Sequence, residues 1–162
     1  RICRVERVVF ASSNTVSWGY SEEEPYSLLF EGRYDEVSPE EIPQVTHEWP
    51  VRPTAYYPAS KVWGEALGRV YADQHGLSVI CLRIGWVNDE DRPHTHHWAR
   101  AGWCSKRDIV QLVRRSIEAP PSLRYDIFYG LSDNDYNWCS IEHAKEVLDY
   151  DPQDNAEDWY DD

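Results

Sequence analysis

Two short runs constrain the fold most. Arg7 to Ser12 (RVVFAS) and Leu77 to Ile84 (LSVICLRI) are rich in β-branched and apolar residues, with no polar alternation. A strand wetted on one face alternates and a strand covered on both does not, so these runs predict strands of a parallel sheet buried on both faces. Polar Ser12-Ser13-Asn14 ends the first run and Gly85 ends the second. Between them a helix is expected from about Pro58, a residue tolerated in a first turn. Its apolar face carries Val62, Ala66, Leu67, Val70 and Tyr71, and Gly76 caps its C-terminus. Strand, helix and strand at this spacing predict an α/β fold whose ligands gather at the carboxyl ends of the strands, where Ser13 and Gly85 stand.

Further elements follow the same logic. Ser105 with Asp108 three residues on forms a capping pair for a helix carrying Ile109, Leu112, Val113 and Ile117 on one side. Tyr125 to Tyr129 (YDIFY) is a third strand, and Ser140 caps a last helix through Val147 and Leu148. Residues 20–53 carry Glu22-Glu23-Glu24, several prolines and little periodicity, so they read as an acidic loop or lid with a short helix at Pro39 to Ile42. The 162 residues read as a single domain, 1–162.

A net charge of -13 and a pI near 4.8 argue against nucleic acid or an anionic membrane as partners, since both reward clustered Lys and Arg. Lys61, Lys106 and Lys145 are the only lysines among 16 basic residues, and the acids are scattered, which reads as a salt-adapted surface. No apolar run approaches the ~20 residues of a membrane span and RICRVERVVF lacks signal-peptide architecture, so a cytoplasmic protein is expected. Cys3, Cys81, Cys104 and Cys139 form no C-x-x-C pair and read as reduced thiols. His94-Thr95-His96-His97 is read as holding no metal, because adjacent loop histidines seldom converge. The chain starts at Arg1 and contains no methionine, so it reads as part of something longer.

The chemistry centres on Tyr57 and Lys61. Four residues apart, they share one helical face, where an ammonium can stabilise a phenolate, the base of a hydride-transfer enzyme. With 11 tyrosines and 3 lysines, about 0.2 such pairs arise by chance, so the pair alone is weak. Its context is Ser13-Asn14 at one strand end and Leu82-Arg83-Ile84-Gly85 at the other. Trp86, directly after that strand, is placed near a substrate. Blander readings stay open: an interfacial tyrosine, a surface lysine, and Ser13 as a strand-end cap. A sugar carboxylate or phosphate needs a cation; Arg92 in the loop after Gly85 is the candidate and Arg100 its rival, while Arg92 paired with Asp91 in solvent is the alternative.

Six segments carry a resemblance: Val8 to Asn14, Tyr57-x-x-Ser60-Lys61 with Gly64 to Arg69, Arg83-Ile84-Gly85, Trp103 to Asp108, Tyr129 to Asn134, and Tyr150 to Asn155. The chain resembles the extended short-chain dehydrogenase/reductase family, in the uronate dehydrogenase-like branch that takes in the glucose-6-phosphate dehydrogenase of halophilic archaea. The resemblance implies the C-terminal part of a Rossmann-type parallel sheet, flanked by helices and lacking the first βαβ units. It implies NAD as cofactor, with NADP as the alternative, and oxidation at C1 of an aldose acid or sugar phosphate to a lactone. Ser13, Tyr57 and Lys61 are the implied catalytic residues. Ser12, Tyr57, Lys61, Ile84 and Gly85 would hold cofactor, and Ser13, Asn14, Thr15, Trp86 and Arg92 the substrate. Thr15 stands where the branch leads one to expect histidine. The glycine-rich phosphate turn of the family is not in these residues, so activity without an N-terminal half is not expected. A small-molecule sugar is the implied partner, with a homo-oligomer compatible. Two alternatives remain: a nucleotide-sugar epimerase or dehydratase of the same family, and a non-catalytic truncated fragment acting as an oligomerisation module.

Overall fold

The computed structural model describes residues 5–94 and 96–160; Cys3 and Thr95 fall outside the described residues. Three strands, β1 (Arg7–Ser13), β2 (Ser78–Ile84) and β3 (Tyr125–Gly130), form a parallel sheet in the order β1-β2-β3. The register pairs Ser13 with Ile84 and Ile84 with Gly130, which brings the three carboxyl ends level along one rim. Four α-helices accompany them among the described residues: α1 (Tyr26–Glu31), α2 (Tyr56–His75), α3 (Lys106–Glu118) and α4 (Glu142–Leu148). The α/β class and parallel sheet read from the sequence are the ones observed.

The strands differ in burial. β2 is buried from Ser78 to Arg83, as its unbroken apolar run requires, because it pairs on both sides. β1 is the correction. Among the described residues it pairs only with β2, and Val8 is 38% exposed, so its apolar run is covered on both faces only near Ser12 and Ser13.

Helix α2 begins and ends close to expectation, with Gly76 in the left-handed conformation at φ +66° closing it. Its rotation does not match. The face packed on the sheet is Pro58, Glu65, Gly68 and Ala72, while Trp63, Leu67, Val70 and Tyr71 point outward. The cause is the small residues: a methyl on Gly68 would lie 2.8 Å from Val79 Cγ1, and one on Gly64 would overlap the Phe10 ring. The helix therefore seats by its glycines, and its larger apolar residues are left on the outside.

The other expectations fare unevenly. Ser105 caps α3 by accepting from the Asp108 amide at 3.1 Å, and Leu112 is buried, but Ile117 is exposed. Segment 20–53 is more ordered than an acidic loop. It holds α1 and a short 3-10 turn at Pro39–Glu41, and it buries Tyr26, Leu29, Val37, Ile42 and Val45 in one cluster with Leu131, Trp138 and Cys139. Tyr26 donates to the Pro43 carbonyl, and Val45 bridges to Cys139, so the segment's order comes from distant partners. No helix among the described residues is long and apolar enough to cross a membrane.

Cys81, Cys104 and Cys139 are all buried and unpaired, and burial pushes the Cys81 thiol up to about 12 and raises the other two. A thiol reacts as its thiolate. Mass spectrometry after iodoacetamide at neutral pH is therefore expected to find these three unmodified in the folded chain and alkylated in denaturant. Rapid native labelling of Cys104 would contradict the packing around it.

Candidate active site

A pocket of about 590 Å³ opens at the carboxyl ends of β1 and β2. Its floor is the strand rim, Ala11 to Thr15 and Ile84 to Val87. One wall is Tyr57 and Lys61 from α2, and the other is Trp18, Trp98 and His96. The pocket thus brings together Ser12, Ser13, Asn14, Thr15, Tyr57, Lys61, Ile84, Gly85 and Trp86, singled out above from separate stretches of sequence.

Tyr57 opens α2 and is 57% exposed, with no hydrogen bond from its phenol among the described residues. Lys61 follows one turn on. Its Nζ donates to the Ala11 carbonyl at 2.7 Å, stands 5.3 Å from the centre of the Tyr57 ring, and lies 5.5 Å from the Phe10 ring. A hydrogen bond to the end of β1 thus fixes the ammonium beside the phenol. Two donors from Thr15 converge on Ser13 Oγ, its amide at 3.2 Å and its hydroxyl at 2.8 Å. With both contacts accepted, the Ser13 proton is left to donate.

Beneath this surface runs a buried polar network. Arg83 makes a two-pronged ion pair with Glu65, both bonds at 3.0 Å, with the side chains 2% and 5% exposed. Ser12 donates to Glu65 at 2.6 Å, Arg83 donates to the Tyr129 hydroxyl at 3.1 Å, and that hydroxyl also meets Ser17 Oγ at 2.7 Å. The network ties α2 to all three strands and to the turn after β1. It also engages the Ser12 hydroxyl, which leaves only that residue's surface to the pocket. Burial raises the Tyr129 phenol above its ordinary value, so Tyr129 stays a neutral bonding partner while Tyr57 is the accessible phenol. Sequence reasoning named Glu65 and Arg83 only as parts of motifs; the signal for their pairing was a lone arginine inside an otherwise apolar strand.

Gly85 lines the pocket and also has a packing role. A methyl there would overlap the Gly102 carbonyl oxygen and Leu131, while the Gly85 amide bonds to Gly130 and the Trp86 amide to Gly102. Gly85→Ala is expected to cost roughly 1–3 kcal/mol in a denaturant titration, the range for overpacking; an unchanged midpoint would show that the backbone there yields freely.

The two arginines considered for an anionic substrate are used elsewhere. Arg92 lies over Trp159 at 5.1 Å and is not among the lining residues. Arg100 pairs with Glu157 and sits among the rings of Tyr34, Tyr136 and Tyr160. Lys61 is the only Lys or Arg lining the pocket among the described residues. The loop histidines border one cavity but have different partners: His94 stacks on Tyr160 and His96 on Trp98, while His97 lies against Gly32.

The late motifs meet at one buried carboxylate. Asp108 accepts from Ser132 Oγ at 2.6 Å and from the amides of Gln153 and Asp154 at 2.8 and 3.2 Å, so the segments Trp103–Asp108, Tyr129–Asn134 and Tyr150–Asn155 act as one unit behind the sheet rim.

No family model matches the chain. Among curated proteins it is 37% identical over 153 residues to the NAD-dependent glucose-6-phosphate dehydrogenase of Haloferax volcanii, covering 94% of this chain and 55% of that protein. It is 35% identical to the L-arabinose 1-dehydrogenase (NAD(P)(+)) of the same organism, covering 94% and 60%. The crystal structure of uronate dehydrogenase from Agrobacterium tumefaciens superposes with a TM-score of 0.71 at 29% identity, covering 95% of this chain and 49% of that one. The chain thus spans about half the length of the relatives it matches, and its fold matches their C-terminal part. On these matches the homologues of the chain are NAD-dependent sugar and uronate dehydrogenases of the short-chain dehydrogenase/reductase (epimerase/dehydratase) superfamily.

Proposed function

We propose that this pocket is the reacting end of an NAD-dependent sugar dehydrogenase that oxidises the C1 hydroxyl of a sugar to a lactone. The observation that carries the reading is the convergence of Ser13, Tyr57 and Lys61 on one pocket at the strand ends. The names of the relatives support it, since they are sugar dehydrogenases using NAD or NAD(P). The rim formed by Ile84 and Gly85, with the Lys61 ammonium opposite, suits the nicotinamide-ribose end of a dinucleotide. Such a cofactor, when bound, supplies the hydride acceptor.

The chain's own residues handle the proton. Tyr57 as phenolate removes the proton of the C1 hydroxyl while the C1 hydrogen departs as hydride, and the electron pair of the O–H bond becomes the second C–O bond of the lactone. Lys61 holds positive charge beside that phenolate, and Ser13 donates to the reacting oxygen and orients it. Thr15, by holding Ser13 Oγ, is a positioning residue. The aromatic wall of Trp18, Trp86 and Trp98 offers apolar faces to the CH groups of a sugar. With Lys61 committed beside Tyr57, a carboxylate or phosphate on the substrate would need a further cation beyond those that line the pocket among the described residues.

The test is reduction of NAD and NADP by the gene product that carries these 162 residues, with glucose 6-phosphate, glucuronate, galacturonate and L-arabinose at high salt. Net reduction with one of them is expected. Failure with all four would overturn the reading, and a tightly retained cofactor without net reduction would favour an epimerase or dehydratase.

A further inference from the structure

Away from this pocket, His47, Asp126 and His143 gather at the opposite side of β3. Each offers one ligand atom, and these atoms lie within 4.8 Å of one another. Asp126 is the second residue of β3, at the amino end of a strand whose carboxyl end forms the rim near the pocket. His143 is in the first turn of α4, and His47 follows Val45, whose backbone bonds to Trp138 and Ser140 hold that segment beside the helix. Three distant parts of the chain therefore place two imidazoles and a carboxylate together, all half-buried.

The spacing suits a shared ion. His143 Nε2 and Asp126 Oδ1 meet in a hydrogen bond at 3.0 Å, and widening this contact to about 3.4 Å gives the separation of two ligands about 2.1 Å from one tetrahedral metal. The His47 ring stacks on His143 with centroids 3.9 Å apart, and has no hydrogen bond among the described residues. Phe128 also stacks on His143, at 4.9 Å, which steadies that ring. A depression of about 340 Å³ opens over the two histidines, edged by Glu48, Glu142 and Glu146. Carboxylates at its mouth favour the approach of a cation.

We propose that His47, Asp126 and His143 form a site for a divalent metal ion of the zinc, cobalt or nickel class. Two imidazole nitrogens and one carboxylate oxygen are the donor set such ions favour, and three protein ligands leave a position open toward the acidic depression. Stacked rings aim their lone pairs side by side, so His47 turns out of the stack to complete the site. The bound ion clips the segment after Val45 to β3 and α4. This reading stands apart from the proposed dehydrogenase, because none of its residues lines that pocket.

The test is calorimetric titration of the gene product that carries these 162 residues with zinc chloride, with the imidazole resonances followed by NMR. One ion per chain is expected, shifting the His47 and His143 resonances, and His47→Ala and His143→Ala are each expected to weaken binding at least tenfold. His94→Ala is expected to leave it unchanged. His47 sits in a half-buried turn, so its variant keeps the fold, as far-ultraviolet circular dichroism will verify. Absence of zinc binding, binding that survives either His47→Ala or His143→Ala, or binding lost with His94→Ala would each overturn the site.

Discussion

Tyr57→Phe is expected to lower turnover of the gene product by roughly 10²- to 10⁴-fold, the usual contribution of a positioned acid or base. Two structural facts make this a clean test. The Tyr57 phenol is exposed and makes no hydrogen bond among the described residues, so removing one oxygen takes nothing from the fold. Lys61 keeps its bond to the Ala11 carbonyl, so the charge beside the ring stays in place. Thermal midpoint should therefore stay close to the parent while turnover collapses. Tyr57→Phe with normal turnover would remove Tyr57 from its role, whatever the substrate.

The largest expected effect on stability lies beneath the pocket. Glu65→Ala strands the Arg83 guanidinium, 2% exposed, without its counter-charge, and is expected to cost about 3–5 kcal/mol, as breaking a buried pair does. Ser12 loses its acceptor as well. The reciprocal change, Arg83→Met, should cost a similar amount. The double variant Glu65→Leu with Arg83→Met should recover most of the loss, because two apolar side chains need no partner. Full recovery is not expected, since Ser12 is left with an unmet hydrogen bond of about 1–3 kcal/mol, while Tyr129 keeps its bond to Ser17. Chemical denaturation of the parent, Glu65→Leu, Arg83→Met and the double variant gives the coupling energy directly. Strictly additive losses would show that the pair does not act as a pair.

What was legible in the sequence was local. The unbroken apolar run of β2 announces a covered strand, and Gly76 announces the end of a helix, because each property depends on a few adjacent residues; the run of β1 announced a strand but not its partial exposure. The Tyr57 and Lys61 pairing needed only the pitch of a helix. Rotation of α2 was not legible, because it is set by how closely Gly64 and Gly68 approach Phe10 and Val79 across the interface. Periodicity alone pointed to the larger apolar residues and chose the wrong face. The placement of Arg92 outside the pocket lining was not legible for a related reason: its stacking on Trp159 links residues 67 positions apart. Order in segment 20–53 likewise depends on Tyr129, Trp138 and Cys139, which no local pattern announces.

The glycine seating of α2 has a consequence for reaction geometry. Tyr57 and Lys61 ride on the same rigid helix that Gly64 and Gly68 hold against the sheet, while Ser13 and Thr15 belong to the sheet's rim. Helix-to-sheet clearance is therefore the gauge that sets base against substrate oxygen, and each glycine is a shim of zero thickness. A single methyl at either would act as a spacer, moving the phenol away from the serine with every active-site side chain still present. Displacement of about 1 Å can cost on the order of 10²-fold in rate, so alignment here is a property of the helix interface as much as of the pocket.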